Sequence, residues 1–269
     1  MSECYKNKYI FDSKIYFSSS FNENILNANN VVYEVVRLVN SKIIDFDANY
    51  IRLQNSLKII GFECPFSKEK LEKEIENLAT LNDVSCGNTK LLFFERENKL
   101  SYMIFFIQHY YPNEDEVRNG VKCSFMDAVR PNPNAKIINN DLRGRANNLI
   151  KEKQVFEMIL INDNGFITEG SRSNLFFIKD NSITTCPNEL VLRGTVRKRL
   201  IKLCQINKIA VNYQLISKDE AKDYDAAFLT GTSLNILPIN SIDDFSFDCN
   251  NSLLRFLQEE YLKLIKLKC

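Results

Sequence analysis

Tryptophan is absent from the 269 residues, and histidine occurs once, as His109. Imidazole-based acid–base and metal mechanisms mostly need more than one histidine. A Ser-His-Asp enzyme would therefore have to use His109 itself. That residue follows the apolar Phe105-Phe106-Ile107 at the end of an expected strand, where a structural or rim role is the simplest reading. Charge of one sign is lacking too. The chain has 35 basic and 34 acidic residues and a net charge of +1. That balance supports neither a nucleic-acid partner nor a membrane surface. None of the eight cysteines stands at C-x-x-C spacing, which argues against zinc. No apolar run of signal length follows Met1-Ser2-Glu3-Cys4-Tyr5-Lys6, and no segment is long enough to span a bilayer. The expected setting is a reducing cytoplasm with free thiols.

What is present is an ordinary globular composition, 45% hydrophobic, enough for two modest domains. An α+β unit is expected over residues 1–111. It holds a β-branched strand at Val31–Leu38 and a helix capped by Asp45 or Asp47 that runs to Ile60. A second helix follows Ser67. Strands at Lys90–Phe94 and Leu100–Ile107 pair through Glu97-Asn98-Lys99. The polar, proline-bearing residues 112–119 are expected to be a linker. Residues 120–269 carry strands near Val121, Glu157, Leu175, Ser182, Ala210, Ala226 and Ile236. Helices are expected at Asn140–Lys153, Thr195–Ile206 and Ser252–Lys268.

Four clusters in the second half can carry chemistry. Lys136 lies in Pro133-Asn134-Ala135-Lys136-Ile137-Ile138-Asn139. A partly desolvated lysine loses its proton more readily and can attack a carbonyl, although one lysine alone is more often a surface residue. Glu169 lies in a glycine- and serine-rich turn, Thr168-Glu169-Gly170-Ser171-Arg172-Ser173-Asn174. Gly194-Thr195-Val196-Arg197 opens a helix whose backbone N–H groups can hold a phosphate. Thr230-Gly231-Thr232-Ser233 follows an apolar strand and could donate hydroxyls to the same phosphate.

In this order the clusters resemble the class IV aminotransferases, the fold-type IV enzymes of pyridoxal 5'-phosphate (PLP). The resemblance begins at Tyr33-Glu34, passes through Asn49-Tyr50-Ile51-Arg52-Leu53, Gly120-Val121, Arg130 and Lys136-x-x-Asn139, and ends at Arg197 and Gly231-Thr232. It implies a two-domain, D-amino-acid aminotransferase-like α+β fold, with a small N-terminal α/β domain and a larger C-terminal pseudo-barrel. It further implies that Lys136 binds PLP covalently and shuttles the substrate proton, and that Glu169 keeps the pyridine nitrogen protonated. Arg52, the N–H groups of Thr195 and Val196, and the Thr232 hydroxyl would hold the phosphate. Asn174 would steady the Glu169 loop or the ring's phenolic oxygen. Arg96, His109 or Arg130 would reach substrate carboxylates. A homodimer acting on a small-molecule amine is expected, with no metal.

The departures bear on the reaction. Asn49 stands where the family has a histidine, and Val196 where it has a threonine. Asn139-Asn140-Asp141 replaces the tyrosine that branched-chain enzymes carry after the lysine motif, and the arginine–histidine carboxylate trap of D-amino-acid enzymes is not matched. The shortness of the chain, the missing tyrosine and the poor carboxylate trap favour aminodeoxychorismate lyase, which eliminates pyruvate to give 4-aminobenzoate for folate synthesis. The alternatives are a transaminase of D- or branched-chain amino acids and a non-catalytic binding protein.

Overall fold

The computed structural model describes residues 2–28 and 30–266. The chain forms two compact units. One holds the residues up to Tyr110 together with Ala135–Ile138. The other holds Tyr111–Asn134 and residues 139–266. The segment around Lys136 thus leaves the second unit, packs in the first, and returns.

The first unit comprises β1 (Lys8–Phe11), β2 (Lys14–Phe17), β3 (Val32–Val39), β4 (Lys42–Ile43), α1 (Phe46–Ile59), α2 (Lys68–Leu81), β5 (Gly87–Arg96) and β6 (Lys99–Ile107). Its sheet runs β2-β1-β6-β5-β3-β4. β3 alternates strictly between buried and half-buried residues, the period-2 signature of a strand with one covered face. The buried series Val32, Glu34, Val36 and Leu38 faces α1 and α2, whose Leu53, Leu57, Leu71, Ile75 and Leu78 complete that core. Glu97 and Asn98 both take left-handed φ values (52° and 59°), the geometry of a tight hairpin turn between β5 and β6. Ser67 caps α2 by accepting from the Lys70 N–H. Asp45 occupies the N-cap position of α1 but makes no side-chain cap bond, because its own backbone is left-handed there. The β1–β2 hairpin was not legible in the sequence. β2 exposes all four of its residues, so it shows no alternation.

The second unit comprises α3 (Glu114–Asn119), β7 (Val121–Asp127), α4 (Asn140–Lys153), β8 (Glu157–Ile161), β9 (Phe166–Gly170), β10 (Asn174–Lys179), β11 (Ser182–Thr185), α5 (Thr195–Ile206), β12 (Val211–Tyr213), β13 (Ile216–Ser217), β14 (Ala226–Gly231), β15 (Asn235–Ile242), β16 (Phe245–Ser246) and α6 (Ser252–Lys266). The last residues of the helix expected to Lys268 lie outside the described ones. The hydrogen-bonded path runs β12-β11-β10-β14-β15-β7-β8-β9-β13 without closing, with β16 on β15. β7 and β8 are parallel and α4 is the crossover that parallel pairing demands. Residues 112–119, expected to be a linker, contain α3, and Asn113 and Glu116 form a reciprocal capping box at its start. The polarity that suggested a linker is that of a helix N-terminus. No helix among the described residues is long and apolar enough to cross a membrane.

The described cysteines are free thiols, with Cys4, Cys123, Cys186 and Cys204 buried and Cys86 exposed. Burial pushes Cys4 up to about 11 and Cys186 and Cys204 to about 12. In the unfolded chain these groups ionise near pH ~8.5. Above that pH the unfolded state binds fewer protons than the folded one, so stability falls as pH rises toward the folded values. The expected result is a urea midpoint that is lower at pH 10 than at pH 7.5. A thiol reagent should modify Cys86 rapidly in the native protein and the buried four only after denaturation.

Candidate active site

In the first unit, Ala135–Ile138 lies against the edge of β3. The Tyr33 N–H donates to Lys136 O at 2.9 Å, Ile138 N–H to Val31 O at 2.9 Å, and Val32 and Ile137 form an antiparallel bridge. The Lys136 N–H donates to Ser56 Oγ at 3.0 Å, and that hydroxyl donates to Arg52 O at 2.9 Å. The backbone of Lys136 is therefore fixed by β3 and α1 together. Its Nζ sits 4.4 Å from the centroid of the Tyr33 ring. Asn139, three residues on, is the N-cap of α4 and accepts from the Leu142 N–H. This explains the asparagine of the lysine motif as a helix start.

Arg52 lies on the buried face of α1 and pairs with Glu34 through two bonds, Nε to Oε1 at 2.7 Å and Nη2 to Oε2 at 2.6 Å. Asn49 Nδ2 donates to Glu34 Oε2 at 2.8 Å and to Val35 O at 3.1 Å. Two of the five guanidinium donors are thus spent on orienting Arg52, and Glu34 raises its already high pKa against the opposing effect of burial. Sequence reasoning missed this clamp, because the partners sit on different elements.

In the second unit Glu169 closes strand β9 and is 2% exposed. A carboxylate so buried needs donors, and it has them. Arg130 Nε donates to Oε1 at 2.6 Å, while Asn174 Nδ2 at 2.9 Å and the Leu192 N–H at 3.1 Å both donate to Oε2. Arg130 Nη2 also donates to Ser171 O at 2.9 Å. Arg130, expected to reach a substrate carboxylate, is thus found paired with Glu169. Its guanidinium compensates a buried acid of its own chain. Asn174 spends its other amide proton on Leu192 O at 2.7 Å, so it ties the Glu169 strand to the loop before α5.

The turn after Glu169 folds around a second buried acid that sequence reasoning missed. Glu157 accepts from the Met158 N–H and Ser171 Oγ at Oε1, and from the Arg172 N–H and Ser173 Oγ at Oε2, all within 2.7–3.1 Å. The serines of the family motif are ligands of this carboxylate.

α5 begins at Thr195, and its N-cap Gly194 offers no side-chain cap bond. The N–H groups of Thr195 and Val196 stand at a helix start, where backbone donors can hold an anion. β10 pairs with β14 so that Asn174 faces Thr230. This brings Thr230-Gly231-Thr232 beside the Glu169 assembly. Thr230 Oγ1 is buried with no hydrogen-bond partner. Arg197 is 1% exposed and donates to Cys186 O at 3.0 Å and to Asn188, which staples the loop before α5. Burial lowers its pKa.

The remaining expected residues stand elsewhere. Arg96 is half-exposed, 3.5 Å from Glu97 and stacked over Phe11 at 5.5 Å. His109 lies just past β6, with Nδ1 3.4 Å from Ile107 O.

A Cβ at Gly194 would stand 2.2 Å from Asn174 Oδ1, whereas one at Gly231 would meet Leu234 at an ordinary 3.4 Å. Gly194→Ala is therefore expected to destabilise the protein by about 1–3 kcal/mol. Gly231→Ala should stay close to wild type. Urea unfolding of the two variants checks the contrast.

The sequence profile described as "Amino-transferase class IV" matches residues 31–242. A D-alanine aminotransferase from Bacillus licheniformis is 30% identical over 226 residues, which is 79% of this chain and 78% of the relative. Among solved structures, a branched-chain amino acid aminotransferase from T.th., crystallised with pyridoxamine 5'-phosphate, superposes with a TM-score of 0.86 at 21% identity, covering 98% of this chain and 95% of that one. A putative 4-amino-4-deoxychorismate lyase from Legionella pneumophila gives 0.79 at 20% identity, covering 92% and 94%. The match spans both units and includes Lys136, Glu169, the start of α5 and Thr230-Gly231-Thr232, and the chain accordingly belongs to the class IV aminotransferases, a family of PLP-dependent enzymes.

Proposed function

We propose that this enzyme holds PLP on Lys136 and moves an amino group between a small amino acid and a 2-oxo acid. The observation that carries the cofactor reading is Glu169, a buried carboxylate aimed by Arg130, Asn174 and the Leu192 N–H. The donor set suits PLP: an amine at Lys136, an anionic partner for a pyridinium at Glu169, and an anion-binding helix start at Thr195. When bound, PLP supplies an electron sink for the carbanion left by proton removal at the substrate's Cα.

The chain's own residues do the rest. Lys136 Nζ is the base that takes and returns the Cα proton. Arg130 compensates the charge of Glu169, which would hold a proton on the ring nitrogen. The N–H groups of Thr195 and Val196, with the Thr232 hydroxyl, hold the phosphate. Arg52 adds donors not used on Glu34. The protein works as a homodimer, as the resemblance implies.

Transamination is favoured over the lyase reaction by a positive similarity, 30% identity to a D-alanine aminotransferase over most of both chains. The case for the lyase rests mainly on residues that are missing. One observation still favours it as second reading: Asn139 caps α4 where branched-chain enzymes carry a nearby tyrosine, and the fold also matches the putative lyase. Visible spectroscopy of the PLP-loaded protein separates the two. With D-alanine and no 2-oxo acid, the transaminase loses its visible band and regains it only when a 2-oxo acid is added. The lyase leaves the band in place with D-alanine and releases pyruvate from aminodeoxychorismate. A protein with no band after PLP is supplied contradicts both.

A further inference from the structure

Lys90 is a basic side chain in a run of β5 that is otherwise apolar or small. It is 8% exposed, between Thr89 and Leu91. It points to the sheet face opposite α1 and α2, where Val35 is its cross-strand partner. Tyr33, Val35 and Arg37 line that face as the half-buried series of β3. Lys90 Nζ lies 5.1 Å from the centroid of the Tyr33 ring, the same ring that Lys136 Nζ approaches to 4.4 Å. One tyrosine therefore carries both the amine that would bind the cofactor and a second, buried ammonium.

The counter-ion of Lys90 is Glu3, whose Oε1 is 2.5 Å away. Glu3 comes from the start of the chain and its side chain is 34% exposed. Its second oxygen, Oε2, is buried with no hydrogen-bond partner. A carboxylate engaged through one oxygen, with the other left without a donor, is a poor solution for a buried ion pair. Arg130 pairs with Glu169, and Arg96 stands exposed beside Glu97 over Phe11.

We propose that Lys90 anchors the α-carboxylate of the substrate, and that Glu3 is the stand-in counter-ion which yields as substrate enters. The ligand class is an α-amino acid or 2-oxo acid whose carboxylate sits one carbon from the reacting centre. This rests on the PLP reading of Lys136.

The test compares alanine with ethylamine, the corresponding amine without a carboxylate, on PLP-loaded protein. In Lys90→Met the concentration of alanine needed to perturb the visible band should rise about tenfold or more, as the loss of a charge-assisted hydrogen bond implies. The response to ethylamine should stay within about twofold, and calorimetric binding of propionate should weaken in parallel with alanine. Glu3→Gln, at a partly exposed position, keeps the test open if Lys90→Met fails to fold. It should tighten alanine and propionate by up to about fivefold, the range of exposed ion pairs. Equal changes for alanine and ethylamine in Lys90→Met, or unchanged or weaker propionate binding in Glu3→Gln, would overturn the proposal. A wild-type protein with no visible band would instead overturn the PLP reading and this proposal with it.

Discussion

Replacing Lys136 by alanine is expected to lower turnover by about 10²–10⁴-fold, the range associated with removing a positioned proton-transfer group. It should also abolish covalent retention of PLP. The fold should survive. The hydrogen bonds that hold this segment come from its main chain, to Tyr33, Val31 and Ser56, and alanine keeps all of them. The side chain itself is only half-buried, against the Tyr33 ring. Unchanged urea unfolding with lost turnover separates a catalytic role from a structural one. A variant that retains more than a tenth of wild-type turnover would remove Lys136 from the chemistry.

Arg130→Met should have the second-largest effect. Its side chain is 16% exposed and that of Glu169 3%, so the pair is largely shielded from water. Breaking a buried pair from one side leaves an uncompensated charge, and the penalty is about 3 kcal/mol or more. The Ser171 carbonyl also loses a donor. The double variant Arg130→Met/Glu169→Gln should be more stable than Arg130→Met alone, because the orphaned charge is gone. Both variants should release PLP more readily than wild type. If Arg130→Met unfolds like wild type while the substrate affinity alone collapses, Arg130 serves the substrate and not Glu169.

Much of the fold was legible because local pattern and final structure agree. α4 and α5 span the residues expected of them, and the β5–β6 hairpin follows from two apolar runs around Glu97-Asn98. α3 was not legible, because a short acidic helix after a proline resembles a linker in composition. The four clusters with Lys136, Glu169, Thr195 and Thr232 could be singled out, since each sits at an element boundary with a distinctive residue type.

Several of the interactions that fix charged side chains could not. Glu34 with Arg52, Glu157 with the 171–173 turn, and Lys90 with Glu3 are buried charges whose partners come from other elements. In the sequence each is one more charge in a chain whose charges nearly balance. Asn49 shows the same limit differently. It departs from the family's histidine, yet its amide takes up a donor's place on Glu34. Arg130 could be singled out by its charge, but its pairing with Glu169 could not, because charge alone does not say whether an arginine meets a substrate or its own chain.

The most direct measurement is to load the protein with PLP, reduce it with borohydride, digest it and locate the pyridoxyl group by mass spectrometry. A single modified peptide carrying the group on Lys136 is the predicted result. Modification of another lysine, or of none, would contradict the account at its centre.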